Sequence, residues 1–233
     1  MVTGFSLLVN HLTSEKKTVG IETIKDYFEE GGNISGKTKE EKAVFAALDE
    51  LISRTKRTAE KELPEKEKEL EMLKSNLIAI LDKDSGSTLY IHPSAEKITK
   101  DSFQLLIVGN GSSHGIYGGV SYVGDKKLNM KNIRLKMHKV VFDIPVEPYY
   151  LIEESRGEKV NERYNFILDS TQLWVVRRGI KSGDLEITIE GEEKDVDISI
   201  SENELQATIE VLEVYDAMRE VEYLKELSAD QEE

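Results

Sequence analysis

One stretch near the N-terminus has the letters of a phosphate-binding loop. It matches the pattern G-x-x-x-x-G-K-[ST], whose fixed positions are here Gly31, Gly36, Lys37 and Thr38. In a true loop of this kind the glycine N–H groups surround the phosphates, the lysine reaches the outer phosphates and the hydroxyl binds Mg²⁺. Two later apolar runs end at Asp143 and Asp169, and either could supply a magnesium-binding carboxylate. The pattern therefore indicates ATP or GTP with Mg²⁺ as a candidate cofactor.

The residues around this stretch argue against nucleotide binding. A phosphate-binding loop follows a buried parallel strand, whereas residues 25–30 read Lys-Asp-Tyr-Phe-Glu-Glu, which is helical and charged. A glycine helix stop, a polar turn and a threonine helix cap explain the same letters without any ligand. We therefore expect no cofactor, and a nucleotide-binding NTPase is kept as an alternative.

The histidines and serines form no recognisable catalytic or metal-binding set. His92, His114 and His138 fall in a region of predicted strands and could in principle meet at a zinc ion, but no pair has local ligand spacing. No serine, histidine and acid can be grouped from their spacing. The chain has no cysteine, which excludes disulfides, thiol nucleophiles and cysteine-bound metals. We expect neither a metal nor a catalytic residue.

A basic ribbon between residues 126 and 139 is the most informative charged segment. It has no acidic residue, and its cations are Lys126, Lys127, Lys131, Arg134, Lys136 and Lys139. From residue 133 to 138 charged and apolar residues alternate, so the charges should line one face of a strand. Three interpretations follow, in order of preference: protection of a sheet edge, binding to an acidic protein surface, and binding to nucleic acid.

The glycine-rich segment 109–115 has two interpretations. Its backbone N–H groups could hold an anion, and Gly118-Gly119 beyond it could allow close approach of a ligand or chain. An Asn-Gly pair between two apolar runs is also typical of a hairpin turn, which we favour.

The element that organises the N-terminal half is a long helix predicted from Thr38 to Leu81, preceded by short amphipathic helices. It opens with a capping box, and Pro64 inside it predicts a kink or a break. Leucines recur along its second half over about two heptads. That length favours packing on the protein's own sheet or last helix over self-association.

After residue 87 the hydrophobic period changes from helical to alternating, which favours an antiparallel sandwich or barrel-like domain. The predicted strands are Thr88–His92, Phe103–Val108, Ile116–Val123, Asn132–Ile144, Tyr149–Glu153, Arg163–Leu168, Leu173–Arg178, Leu185–Glu190 and Val196–Ile200.

A last amphipathic helix is predicted from Ser201 to about Ser228, opened by a capping box between Ser201 and Glu204. Its apolar stripe is broad enough to lie against a core, and its other face is nearly all acidic. Residues 201–233 carry 2 basic and 11 acidic side chains, so most of the net charge of −14 belongs to this segment.

Composition restricts the classes of function. The electrostatic field of a protein with this much net negative charge repels nucleic acid and anionic membranes, unless a local basic patch overrides it. No apolar run is long enough to cross a bilayer, and the N-terminal residues show no basic region ahead of an apolar core as in a secretory signal, so we expect a cytoplasmic protein. Few glutamines and many lysines and glutamates lean towards a thermophilic source.

These features together predict an α+β fold: a helical region over 1–84, an antiparallel β domain over 85–200, and a C-terminal acidic helix and tail over 201–233. We expect a non-enzymatic interaction or assembly protein whose partner is another protein or a second copy. The alternatives are the nucleotide-binding NTPase and a nucleic-acid-associated protein that uses the basic ribbon, with nucleic acid the less favoured partner.

Overall fold

A computed structural model describes residues 39–96, 98–111 and 113–229 of the chain. These residues belong to two compact units. The described part of the first is 39–62 with 225–229, and the second is Leu63–Leu224.

The first unit contains the beginning of helix α1 (Lys39–Lys74). Its buried apolar side chains include Val44, Phe45 and Leu48, which the sequence places on one stripe. Ile52, one turn further on, is 41% exposed. On its exposed side, the hydroxyls of Thr55 and Thr58 each donate to the carbonyl one turn back.

In the second unit α1 continues through Pro64 and ends at Lys74. The break considered at Pro64 does not occur, and the predicted end at Leu81 is wrong. The chain turns at Ser75-Asn76, where the Asn76 and Leu77 N–H groups donate to carbonyls three residues back. The β-branched residues that follow then pair with the next strand instead of extending the helix.

The larger sheet has six antiparallel strands in the order β1-β2-β3-β4-β8-β7. Their bounds are β1 Ile78–Leu81, β2 Thr88–Ile91, β3 Ser102–Asn110, β4 Ser113–Gly124, β7 Ile152–Arg156 and β8 Lys159–Ile167.

The smaller sheet has four antiparallel strands in the order β10-β9-β5-β6. Their bounds are β5 Asn132–Met137, β6 Val140–Pro145, β9 Leu185–Glu190 and β10 Asp195–Ile198. Two antiparallel sheets, one of them curled into a half-barrel, confirm the predicted α+β class.

Two strand predictions need new bounds. The segment predicted as one strand over 132–144 is two strands, because His138 at φ 53° opens a tight turn between β5 and β6. The strand predicted from Tyr149 begins only at Ile152, because Pro148–Tyr150 forms a 3₁₀ turn.

The predicted strand Leu173–Arg178 is wrong, because these residues lie in helix α2 (Ser170–Ser182). Asp169 caps the helix by accepting from the N–H groups of Thr171 and Gln172, and Gln172 completes a capping box. Gly183 ends it at φ 75°. The helix packs against β5 and β9.

Helix α3 (Glu202–Ser228) follows β10 and was predicted with nearly these bounds. Its buried stripe joins the main core of the second unit with side chains from both sheets, α2 and the end of α1. The stripe residues buried in the helix are Ala207, Thr208, Val211, Leu212, Val214, Met218, Val221 and Leu224.

Among the described residues, no helix combines the length and the apolar character that a membrane crossing requires.

Candidate functional site

The phosphate-loop match at Gly31, Gly36, Lys37 and Thr38 lies outside the described residues. The two aspartates considered as magnesium ligands have other partners. Asp143 accepts from Arg134 at 2.8 Å, and Asp169 caps α2.

The basic ribbon does not lie at a sheet edge. Its strand portion is β5, which lies between β9 and β6, so the edge-protection interpretation is wrong. Arg134 contacts Asp143 at 2.8 Å and Glu190 at 2.7 Å, and Lys136 contacts Glu186 at 2.6 Å. The hydrogen bond to Asp143 raises the pKa of Arg134 above its usual value.

The loop part of the ribbon is also largely paired within the chain. Lys127 contacts Glu153, and Lys131 lies 3.6 Å from Glu192. Among the described residues only Lys126 and Lys139 of the six cations have no ion-pair partner. The ribbon therefore presents far less unpaired charge to a partner than its sequence indicates.

The three histidines do not meet. His92 pairs with Glu210, His114 with Glu222 and His138 with Asp184, each in a separate place. No cluster of three or more potential metal ligands exists among the described residues.

The acidic face of α3 is largely paired with basic side chains of its own chain. The end of α1, strand β4 and helix α2 each contribute one, and the loop after β2 contributes His92, described above, and Lys100. The pairs are Lys66–Glu220 at 3.1 Å, Lys100–Glu204 at 2.8 Å, His114–Glu222 and Arg177–Asp216 at 2.5 Å. Sequence reasoning did not find these pairs, because partners so distant along the chain cannot be recognised from spacing.

The glycine-rich segment is a hairpin turn, as favoured. Asn110 pairs with Ser113 across the β3–β4 turn, and Gly111 has φ 65°. Gly118 and Gly119 are required by packing within the sheet. A Cβ on Gly118 would come within 2.6 Å of the Phe166 ring.

The six-stranded sheet has a second apolar surface on the side opposite the core. Residues directly opposite each other on neighbouring strands point to the same side, and the strand register joins apolar residues into one row across five strands and a shorter second row. We call this surface the outer face. It consists of Ile78, Ile80, Leu89, Ile91, Leu106, Val108, Tyr117 and Ile167.

The outer face is separate from the main core of the second unit. Among the residues that the structure describes, none of its eight side chains belongs to the core cluster or packs against it. Ile167 is 63% exposed and Ile80 is 46% exposed, but Leu106 in the middle of the face is only 3% exposed and the other five side chains are half-buried. The outer face is therefore exposed at its two ends, at Ile80 and Ile167, and covered at Leu106.

A cavity of about 230 Å³ is the second candidate site. It lies between the 3₁₀ turn Pro93–Ala95, the beginning of β3 and the first turns of α3. Apolar wall residues include Ile98, Phe103 and Val211, and its polar lining includes hydroxyls and amides. The polar side chains are His92, Ser94, Thr99, Lys100, Ser102, Gln104, Ser201, Asn203, Glu204 and Thr208.

A hydroxyl, an imidazole and a carboxylate are aligned at one side of this cavity. The Ser94 Oγ lies 2.8 Å from His92 Nδ1, and His92 Nε2 lies 3.3 Å from Glu210 Oε2. The Ser94 N–H also donates to Nδ1 at 3.1 Å. Sequence reasoning missed this set because Glu210 lies far along the chain on α3.

Glu204 ties the cavity to the start of α3. Its carboxylate accepts from the Ser201 N–H and from Lys100, both at 2.8 Å. Burial raises the pKa of Glu204, but the hydrogen bonds from Lys100 and Ser201 outweigh burial and bring the pKa below its usual value.

The chain was compared with protein-family models, curated proteins and solved structures. None of them matches it.

Proposed function

We propose that this protein is an assembly protein that associates with a second copy of itself through the outer face. The observation that carries the proposal is the pair of exposed apolar side chains at the two ends of this face, Ile167 at 63% and Ile80 at 46% exposure.

A second copy is the occupant that the chemistry of this face favours. An apolar surface needs no complementary charge opposite it, so two copies related by a two-fold axis can bury the same surface against each other. The net charge of −14 opposes association at long range, so we expect the contact to strengthen as salt concentration rises.

The charged surfaces are weaker candidates for the contact. Most cations of the basic ribbon and most carboxylates of α3 are paired within the chain. A partner would have to replace these pairs, which gives little net gain. An acidic partner for the ribbon is therefore not favoured by any described contact. The nucleotide alternative stays a prediction, because Gly31, Gly36, Lys37 and Thr38 lie outside the described residues.

The test is the mass of the protein in solution as a function of concentration, measured by light scattering after gel filtration. We expect a concentration-dependent dimer in the wild type. Ile167→Glu should weaken it at least tenfold, about 1.4 kcal/mol, because a carboxylate would be buried without a partner.

The matched control is Trp174→Glu, which places the same charge at another large exposed side chain, on α2 instead of the outer face; Trp174 is 51% exposed. Dimerisation should be unchanged in this variant. A wild type that stays monomeric up to millimolar concentration would refute self-association, and equal effects of the two substitutions would refute the outer face as the contact.

A further inference from the structure

We propose that the cavity beside Ser94 is an esterase site in which Ser94 is the nucleophile, His92 the general base and Glu210 the positioning residue. Its substrates would be carboxylic esters with a short acyl chain. This inference is independent of the self-association proposed above, since the cavity lies on other residues.

The hydrogen bonds fix the tautomer of His92 that such a reaction needs. A backbone N–H can only donate, so the 3.1 Å contact from the Ser94 N–H requires an unprotonated Nδ1. The proton of the neutral ring is then on Nε2, directed at Glu210. The lone pair of Nδ1 faces the Ser94 hydroxyl at 2.8 Å, within reach for proton transfer.

The carboxylate is placed to stabilise the charged ring. When His92 takes the hydroxyl proton, the imidazolium that forms lies 3.3 Å from Glu210 Oε2. This is the role of the acid in a serine–histidine–acid triad, with the two ring nitrogens exchanged. His92 and Glu210 are 23% and 27% exposed, so part of this pair is shielded from water, while Ser94 is exposed and can be reached by a substrate.

The cavity determines the substrate class. A volume of about 230 Å³ is somewhat larger than an apolar cavity that holds benzene, so it accommodates an acyl group of a few carbons. Phe103, Leu105 and Val211 give it apolar walls for such a chain.

Side chains must supply the hydrogen bonds to the oxyanion. The N–H groups of Ala95 and Glu96 already donate to carbonyls within the 3₁₀ turn. The amides of Gln104 and Asn203 line the cavity and have no hydrogen-bond partner among the described residues. Their N–H groups can donate to a negatively charged oxygen, as an oxyanion hole requires.

The reaction balances with these groups and water alone. The Ser94 Oγ bonds to the ester carbonyl carbon as its proton moves to His92 Nδ1. The tetrahedral adduct collapses, the bond to the alcohol oxygen breaks, and the alcohol leaves with that proton. Water then attacks the acyl-serine with its proton going to His92, and the carboxylic acid leaves as the proton returns to Ser94.

The test has two parts on the full chain. A fluorophosphonate probe, which a nucleophilic serine attacks with release of fluoride, should label one serine, identified as Ser94 by peptide mass spectrometry. The rate of p-nitrophenyl butyrate hydrolysis should fall at least a hundredfold in Ser94→Ala and in His92→Gln. A nucleophile or a general base usually contributes at least this much to the rate. Ser94→Ala keeps the backbone N–H and hence the turn.

Two further variants separate catalysis from structure. Ser155→Ala removes an exposed hydroxyl on β7, outside the cavity, and should leave labelling and hydrolysis unchanged. Glu210→Gln should lower kcat about tenfold or more with KM within twofold, because Glu210 acts through His92 and not on the substrate. No labelling of Ser94 in the folded wild type, or equal labelling in His92→Gln, would overturn the proposal.

Discussion

The carboxylate of Glu162 on β8 is fully buried and accepts three consecutive backbone N–H groups. Its two oxygens lie 2.7 Å from the Leu128 nitrogen, 3.1 Å from that of Asn129 and 3.2 Å from that of Met130. Asn129 holds φ 53° to present its N–H group. One side chain thus fixes the loop that leads into β5, and buried donors in that loop depend on it.

Glu162→Gln should lower the free energy of unfolding by about 2–3 kcal/mol. The amide retains one acceptor oxygen, but its NH₂ group would face the Met130 N–H, and a buried donor without an acceptor costs about 1–3 kcal/mol. Urea denaturation monitored by circular dichroism measures the change.

The control is Glu153→Gln at the directly opposite position on β7. Glu153 is 38% exposed and pairs with Lys127 at the surface, so its substitution should cost under about 1 kcal/mol. A similar loss in both variants would show that the three buried hydrogen bonds are not the cause.

At the scale of elements, the capping box of α3 links stability to pH. The folded pKa of Glu204 is depressed, so its contribution is present above the unfolded pKa of about 4.3 and is lost as pH falls through the folded value. Glu204→Gln should lower Tm by about 2–4 °C at pH 7, from a cap energy of about 1 kcal/mol.

Thermal melts at pH 7 and at about pH 3 check this expectation. The Tm difference between wild type and Glu204→Gln should shrink at the lower pH, because the contribution of the carboxylate is lost as pH falls through its depressed folded pKa. Glu202→Gln, which removes the same charge two residues earlier, should show a smaller effect at pH 7. A pH-independent difference would mean that the charge of Glu204 is not what stabilises the helix.

Some elements could be predicted from the sequence because their local signals agree. The β9–β10 hairpin alternates strictly, and α3 has both a capping box and a broad stripe. The segment of α2 could not be settled by its apolar run, since Leu173–Val176 suits a strand or a helix. The deciding signals, Asp169 with Gln172 and then Gly183, are short and lie at its ends.

Strand β1 was not predicted because its sequence fits both a helix and a strand. Leu70, Leu73, Leu77 and Ile80 continue a helical spacing, yet Ile78 and Ile80 also alternate. Pairing with β2 decides between them, and that pairing is a tertiary contact. For the same reason neither the Ser94–His92–Glu210 set nor the outer face was apparent, since each depends on the register or packing of distant segments.

At the scale of the whole molecule, basic and acidic residues that are clustered in separate segments of the sequence form ion pairs with each other and with other segments in the folded chain. We therefore expect no more than weak non-specific affinity for a fluorescent 20-base-pair DNA duplex at 0.15 M salt, with Kd above about 100 μM. Fluorescence anisotropy measures it. Micromolar binding that Lys126→Glu with Lys139→Glu abolishes would contradict this and restore the ribbon as a nucleic-acid surface.

The position of helix α3 at the end of the second unit determines when that unit can fold during synthesis. Every sheet and helix that it holds together in the second unit is translated before it, and its contacts with Lys66, His92 and His114 reach back across most of that unit. During translation the apolar core side chains of the earlier strands therefore remain exposed to solvent until residue 224 has left the ribosomal exit tunnel. Contacts between segments that are distant in the sequence form slowly. The C-terminal position of α3 therefore lengthens the time during which the nascent chain needs chaperones.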